Sequence, residues 1–323
     1  FFFSSRRRHT RYISVTGVQT YALPICLLLS ASGWFKAPRR DDWLQRPDLL
    51  AGRRPRTLNM STIGDDLLRE ASPAFGPRVE AVVVYNSNPV AVAPQSRQVA
   101  AGFRREDLFT VVLEHFRTDT ADHADYVLPA TTQLEHWDIH GAYGHHYVLL
   151  NQPAIAPLGQ SRPNTDVFRA LAARLGFTEP CFADSDEALV RGAFDPEVVP
   201  FDRLLARGWH PLPVPEAPFA EGGFATPDGK AWADAPGLGV PDYVPPYESA
   251  QTAPELAARY PLAMISPPAR SFLNSTFVNV KSLRAIEGEP RLEIHPADAA
   301  ARGIADGTPV RVFNDRGDYR CTA

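Results

Sequence analysis

Residues 79–95 read VEAVVVYNSNPVAVAPQ, and residues 108–136 read LFTVVLEHFRTDTADHADYVLPATTQLEH. Two runs within them, Val79–Tyr85 and Leu108–Leu113, are apolar and β-branched, too short for a helix, and end in polar tips. A helix-compatible segment, Pro94–Phe103, separates them. The pattern predicts a βαβ unit. In such a unit the parallel strands are expected to be buried on both faces, with ligands met by the loops beyond the carboxyl ends of the strands. Those loops are Asn86-Ser87-Asn88-Pro89 and Thr118-Asp119-Thr120. Neither is Gly-rich, so no helix approaches a pyrophosphate in the usual dinucleotide-fold manner. What they offer is a cluster of amide, hydroxyl and carboxylate groups, suited to the edge of a base or a pterin.

Downstream, Tyr126–Pro129 reads as a third short strand, and TTQLEH opens a polar loop. Trp137–His146 holds His140, His145 and His146 with Tyr143 and two glycines. Metal ligation, hydrogen bonding to a bound organic group, and ordinary surface or core histidines are all open to this segment. The lack of an HExxH pattern speaks against a metal, and Gly141 and Gly144 predict a loop. Thr165–Leu175 reads as an amphipathic helix with Val167, Leu171 and Leu175 on one stripe that packs on the sheet, stopped by Gly176. A helix at Ser185–Gly192 follows, then a turn at Pro227-Asp228-Gly229 within FATPDGKAWAD that reads as a hairpin, and a linker at Pro241–Pro254.

Upstream, the helix of TLNMSTIGDDLLREA opens at Asn59 or Ser61 with acidic residues in its first turns. Arg53, Arg54 and Arg56 precede it, either as a solvated basic loop or facing an anionic ligand. Ser72–Pro77 is a turn-rich connection. The closing segment, with a short helix at Pro296–Arg302 and turns at Asp306-Gly307 and Asp315-Arg316-Gly317-Asp318, suggests closely spaced strands of a small barrel, left incomplete with an unpaired edge strand near Ala323.

The chain has 323 residues, 44% of them hydrophobic, enough for two or more packed units. A net charge of −4 gives no reason to propose nucleic acid or an anionic membrane as partner. Cys26, Cys181 and Cys321 have no CxxC spacing, so they build neither a disulfide framework nor a zinc or iron–sulfur site. The opening residues 1–25 read as translated sequencing-adapter sequence. A twin-arginine export signal is the weaker reading, because the apolar stretch is short and polar at its start, and it is also too short for a membrane span.

With these residues assembled, the chain resembles the molybdopterin oxidoreductases of the dimethyl sulfoxide reductase and formate dehydrogenase type. Three motifs carry the likeness: YNSNP at Tyr85–Pro89, TDTADHADYVLPATTQLEH at Thr118–His136, and the run from Ala299 to Ala323. TPDGK (Thr226–Lys230) and ISPPARSFLNSTF (Ile265–Phe277) are weaker echoes. The resemblance implies an α/β fold: a Rossmann-like parallel-sheet nucleotide-binding domain followed by a truncated double-psi β-barrel. Its expected bounds are 26–240 for the α/β domain, 241–260 for the linker and 261–323 for the barrel.

It also implies a bis(molybdopterin guanine dinucleotide) with molybdenum or tungsten, and two-electron oxygen-atom or hydride transfer on a small-molecule substrate. Asn86 and Asn88 would sit on one dinucleotide, with Thr118, Asp119 and Thr120 on its base or phosphates. Glu135 and His136 would line the pterin side with His145 and His146, the last two as a proton relay. Ser266, Arg270, Asn274 and Ser275 would contact the other pterin or its diphosphate. The family's metal ligand and its cysteines for a [4Fe-4S] cluster belong to an amino-terminal half that this chain does not contain, so that half is an expected partner, as is an iron–sulfur electron-transfer subunit. A cytoplasmic or a periplasmic location is compatible with this. Two other classes compete: a cofactor-less structural or electron-transfer subunit of a respiratory complex, and a free-standing nucleotide-binding module.

Overall fold

The computed structural model describes residues 46–142, 145–213, 224, 226–230 and 242–323, with the side chains of all of these except 142, 145 and 146. The opening twenty-five residues, Cys26 and the side chains of His145 and His146 therefore lie outside the described residues, as does the second limb expected for the hairpin after Lys230. In chain order the elements are α1 (Ile63–Leu68), β1 (Ala81–Tyr85), α2 (Pro89–Val92), α3 (Ser96–Phe103), β2 (Phe109–Glu114), β3 (Tyr126–Pro129), β4 (Asp138–Ala142), β5 (His145–Asn151), α4 (Asn164–Arg174), α5 (Asp186–Gly192), α6 (Phe201–Arg207), β6 (Trp209–Pro211), α7 (Pro254–Arg259), α8 (Lys281–Glu287), α9 (Pro296–Ala300), β7 (Pro309–Phe313) and β8 (Asp318–Thr322). They form two compact units, one of Arg56–Pro129 with Pro241–Ala323, the other of the residues up to Pro55 with Ala130–Val240. No helix among the described residues is long and apolar enough to cross a membrane.

In the first unit Asn59 starts the helix, as its position predicts: its side chain accepts from the Ser61 N–H at 2.9 Å. A 3-10 turn leads into α1, which carries Asp65 and Asp66 in its first turn, where the helix dipole favours them. Strands β1, β2 and β3 are parallel and adjacent in that order. Val84 of β1 and Val112 of β2 point into a cluster with Leu67, Val99, Phe103 and Leu108, so α1 and α3 cover the same face of the sheet.

The opposite face corrects the expectation of two-sided burial. Val83, Phe109 and Tyr126, which share it by strand alternation, are 48%, 50% and 60% exposed. That face is covered only in part: Leu113 on it is 3% exposed, while the Phe109 and Tyr126 rings meet edge to face in the open.

The two helices approach each other unusually closely. A Cβ placed on Gly64 would stand 2.7 Å from the Val99 backbone nitrogen and 2.8 Å from the Gln98 carbonyl carbon, and one on Gly102 would stand 2.7 Å from the Leu67 Cβ. Glycine is thus required by contact at both positions, with Leu67 and Val99 fully buried between them.

The remainder of this unit holds α8, α9 and the antiparallel β7–β8 hairpin. β8 has neighbours on both sides at its end, because the Leu292 N–H donates to the Thr322 carbonyl at 2.8 Å and the Thr322 N–H to the Pro290 carbonyl at 3.2 Å. The unpaired edge expected near Ala323 is to that extent closed. The segment from Glu248 to Tyr260 is tied down through the β7–β8 turn: Asp315 accepts from the Tyr260 hydroxyl at 2.6 Å and from Arg259, while the Arg316 guanidinium grips both carboxylate oxygens of Glu248.

In the second unit β4, β5 and β6 form an antiparallel sheet over a core of Val148, Phe194, Val199, Leu204 and Leu212. The loop expected for Trp137–His146 is instead the β4–β5 pair. Gly141 falls where the register shifts between His140 and Ala142, so it marks a bulge rather than the absence of a strand. Ser185 caps α5 by accepting from the Ala188 N–H at 3.1 Å. Helix α4 forms where expected, but its stripe does not: Leu171 and Leu175 are 42% and 61% exposed, and the residue it buries is Ala172. Its main neighbour is the Pro180–Ala183 turn rather than a sheet.

Two outcomes follow from these contacts. Gly64→Ala should destabilise the protein by about 1–3 kcal/mol in denaturant unfolding, the cost of overpacking, although helix propensity alone would make alanine the better residue. A gain in stability would refute the close contact. The carboxyl of Asp315 is held below its usual range by the Tyr260 hydroxyl and by Arg259, and that of Glu248 by Arg316. A depressed folded pKa stabilises above the unfolded value, about 3.9–4.3, and is lost as the pH falls through the folded one. Amide exchange across 247–260, corrected for its intrinsic rate, should hold steady from about pH 7 to about pH 5 and quicken below about pH 4. A flat profile would mean that the ion pairs do not hold this segment.

Candidate functional site

The first unit presents two polar loops at the carboxyl ends of neighbouring parallel strands, the position where open α/β sheets take ligands. After β1 the backbone turns through Asn86, whose φ of 54° is left-handed, a region asparagine tolerates. Asn88 follows, then Pro89 at the first position of α2, where a missing N–H costs no helical hydrogen bond.

Asn88 and Thr120 join the loops. The Thr120 N–H and hydroxyl both donate to the Asn88 Oδ1, at 3.2 and 2.7 Å. The Thr120 oxygen in turn accepts from the Val90 N–H at 3.1 Å. Two donors on one amide oxygen fix which way the carboxamide points, so the Asn88 Nδ2 faces the Asp119 Oδ2, 3.4 Å away. Asn88 is 7% exposed and Thr120 is fully buried. Asn86 and Asp119 are exposed and Thr118 is half-buried, its hydroxyl accepting from the Ala121 N–H at 3.3 Å. The expected site residues are therefore brought together here but divide by role: Asn88 and Thr120 are committed to each other, and Asn86, Thr118 and Asp119 face outward around them.

Ser266, Arg270, Asn274 and Ser275 belong to the same unit. Ser266, Arg270 and Asn274 are exposed and Ser275 half-buried. Asn274, with a φ of 53°, forms the tight turn closed by the Thr276 N–H donating to the Leu273 carbonyl at 2.9 Å. Arg270 has no acidic partner among the described residues. Of the upstream arginines, Arg56 donates to the Phe75 and Pro77 carbonyls and lies 4.2 Å over the Phe75 ring, and Arg53 donates to the Leu49 and Leu50 carbonyls. Both brace the chain itself.

In the second unit Glu135 is buried. One carboxylate oxygen accepts from the Thr132 N–H and hydroxyl at 2.6 and 2.8 Å, the other from the Leu158 N–H at 2.6 Å. His136 holds the Thr131 hydroxyl at 2.8 Å through Nδ1, and its carbonyl accepts from Asn151 at 2.8 Å. Glu135 thus clasps two stretches of backbone with both oxygens, a role missed in the sequence although the Thr132-x-x-Glu135 spacing is that of a capping box. No group of three or more His, Cys, Asp or Glu among the described residues is placed to hold a metal.

The mixed α/β fold with its parallel sheet is similar to that of acetylene hydratase from Pelobacter acetylenicus. The TM-score is 0.67 at 24% identity, over 82% of this chain and 37% of that one. Two family models match: Molybdopterin oxidoreductase over residues 56–174 and Molydopterin dinucleotide binding domain over residues 262–323. The chain is 40% identical to the probable oxidoreductase YoaE of Bacillus subtilis over 289 residues, 87% of this chain and 41% of that protein. It is 35% identical to the dimethyl sulfoxide/trimethylamine N-oxide reductase of Cereibacter sphaeroides over 66% of this chain and 30% of that protein. The chain belongs to the molybdopterin oxidoreductase family, and it spans less than half the length of these relatives.

Glu135→Ala should cost roughly 1–3 kcal/mol in chemical denaturation, because three donors lose a charged acceptor. Glu135→Gln, which keeps one acceptor oxygen, should cost less. Equal and negligible losses would show that the clasp does not hold the two stretches together.

Proposed function

We propose that this chain forms the nucleotide-binding part of an enzyme carrying bis(molybdopterin guanine dinucleotide) with molybdenum or tungsten, which transfers an oxygen atom or hydride to or from a small substrate. The observation that carries this reading is the pair of braced polar loops at the ends of β1 and β2, inside the stretch matched by the oxidoreductase model.

The donor set suits the group. An exposed carboxylate, Asp119, can accept from the N1–H and N2–H2 edge of guanine, and adenine presents no such pair of donors. Asn86 and Thr118 add amide and hydroxyl groups beside it. Arg270 suits a diphosphate, since its planar fork pairs with phosphate oxygens. The short turns around Asn274 would present Ser275 to the same group. In this reading the parallel-sheet region is one of the Rossmann-like domains and 261–323 is part of a double-psi barrel.

When bound, the metal–pterin group supplies the two-electron redox chemistry, and the residues of this chain hold and orient it. The relatives' names, a dimethyl sulfoxide/trimethylamine N-oxide reductase among them, favour oxygen-atom transfer as the reaction class.

The test is the composition of the complete protein purified from its own host. Molybdenum or tungsten should be present by elemental analysis, with guanine nucleotide released on acid hydrolysis. A preparation that folds and carries neither metal nor guanine would overturn the reading in favour of a cofactor-less subunit.

A further inference from the structure

The residues around the two loops raise a question that the binding reading leaves open: what fixes the Asp119 carboxylate in a direction that selects one base. Asp119 lies on an exposed loop, and an unrestrained carboxylate there would rotate freely and accept from whatever donor arrived. Among the described residues its one side-chain partner is Asn88, through Nδ2. That amide in turn cannot turn over, because its oxygen is held by two donors of Thr120, and the Thr120 oxygen is itself held by the Val90 N–H. The chain of bonds runs from the backbone of α2, through a fully buried hydroxyl and a buried amide, to an exposed acid.

The geometry points to Asn88 as a positioning residue that sets base selectivity through Asp119. It does not touch the nucleotide in this assignment. It donates one N–H to a single carboxylate oxygen and so orients the other toward a guanine edge. The inference rests on the proposed guanine-binding role of Asp119.

Asparagine is the residue this requires. An acceptor alone is enough to satisfy Thr120, so aspartate at position 88 would keep the two bonds that join the loops. Only an amide also donates. A carboxylate there would face Asp119 with no proton to offer, and like charges at this distance repel. Joining the loops and orienting Asp119 can therefore be separated by exchanging one NH2 for an oxygen.

The experiment uses the complete protein prepared without cofactor, with GMP and AMP as probes in equilibrium dialysis at about pH 8, where the introduced carboxylate is ionised. Wild type should prefer GMP, and Asp119→Asn should abolish that preference. Asn88→Asp should reduce the GMP-to-AMP preference by about tenfold, the factor carried by one hydrogen bond to a charged group, with a lowered thermal midpoint because a buried carboxylate then faces Asp119. Asn88→Ala, which removes the amide donor to Asp119 without adding a charge, is the second variant and should weaken the preference in the same direction.

If wild type shows no preference, or Asp119→Asn leaves it intact, the guanine reading of Asp119 fails and the inference falls with it. If Asp119→Asn abolishes the preference while Asn88→Asp keeps it, the positioning role is overturned and the guanine reading stands. Should Asn88→Asp not fold, an unchanged preference in Asn88→Ala overturns the positioning role by itself.

Discussion

The hydrogen bonds between Asn88 and Thr120 are the constraint on which the candidate site depends. Parallel strands end side by side, but nothing in a ladder of backbone bonds fixes the loops that follow them. Here a buried amide and a buried hydroxyl do so, and because both are removed from water the pair is costly to break. The outward groups, Asn86, Thr118 and Asp119, inherit their directions from that inner pair.

Beneath the loops, the sheet is held by packing of another kind. The close approach of α1 and α3, allowed by Gly64 and Gly102, lets Leu67 and Val99 reach the strands and close the core around Val84 and Val112. The polar clamp at the strand ends and the tight apolar layer below them divide the work: the layer sets where the strands lie, and the clamp sets where the loops point. In the second unit Glu135 does the same for its surroundings, using charge-assisted bonds to backbone donors.

Much of this was legible in the sequence wherever a local pattern carries the information. β3 spans Tyr126–Pro129 as the short apolar run suggests, Asn59 and Ser185 start their helices, and the two loops lie where the polar tips of the strand runs place them. What was not legible depends on partners distant in the chain. The Asn88–Thr120 bonds link residues 32 positions apart, and no spacing rule marks which of several polar side chains turns inward. Gly141 suggests a loop in sequence because a bulge and a loop use the same residue. The stripe on α4 was a sound helical period, but a period names a face without naming what covers it, and the residue that became buried was the small Ala172. The partial cover of one face of the β1–β2–β3 sheet is hidden for the same reason, since consecutive valines read alike whether one side or both is covered.

The order of residues at the end of β1 also bears on how the molecule ages. Asparagine side chains are lost over time when the next residue's backbone nitrogen attacks the carboxamide and closes a succinimide ring, which opens to aspartate. Residue 89 is proline, whose nitrogen carries no hydrogen to give up, so that route is closed at Asn88. The same ring that begins α2 thus shields the buried amide from this route of loss.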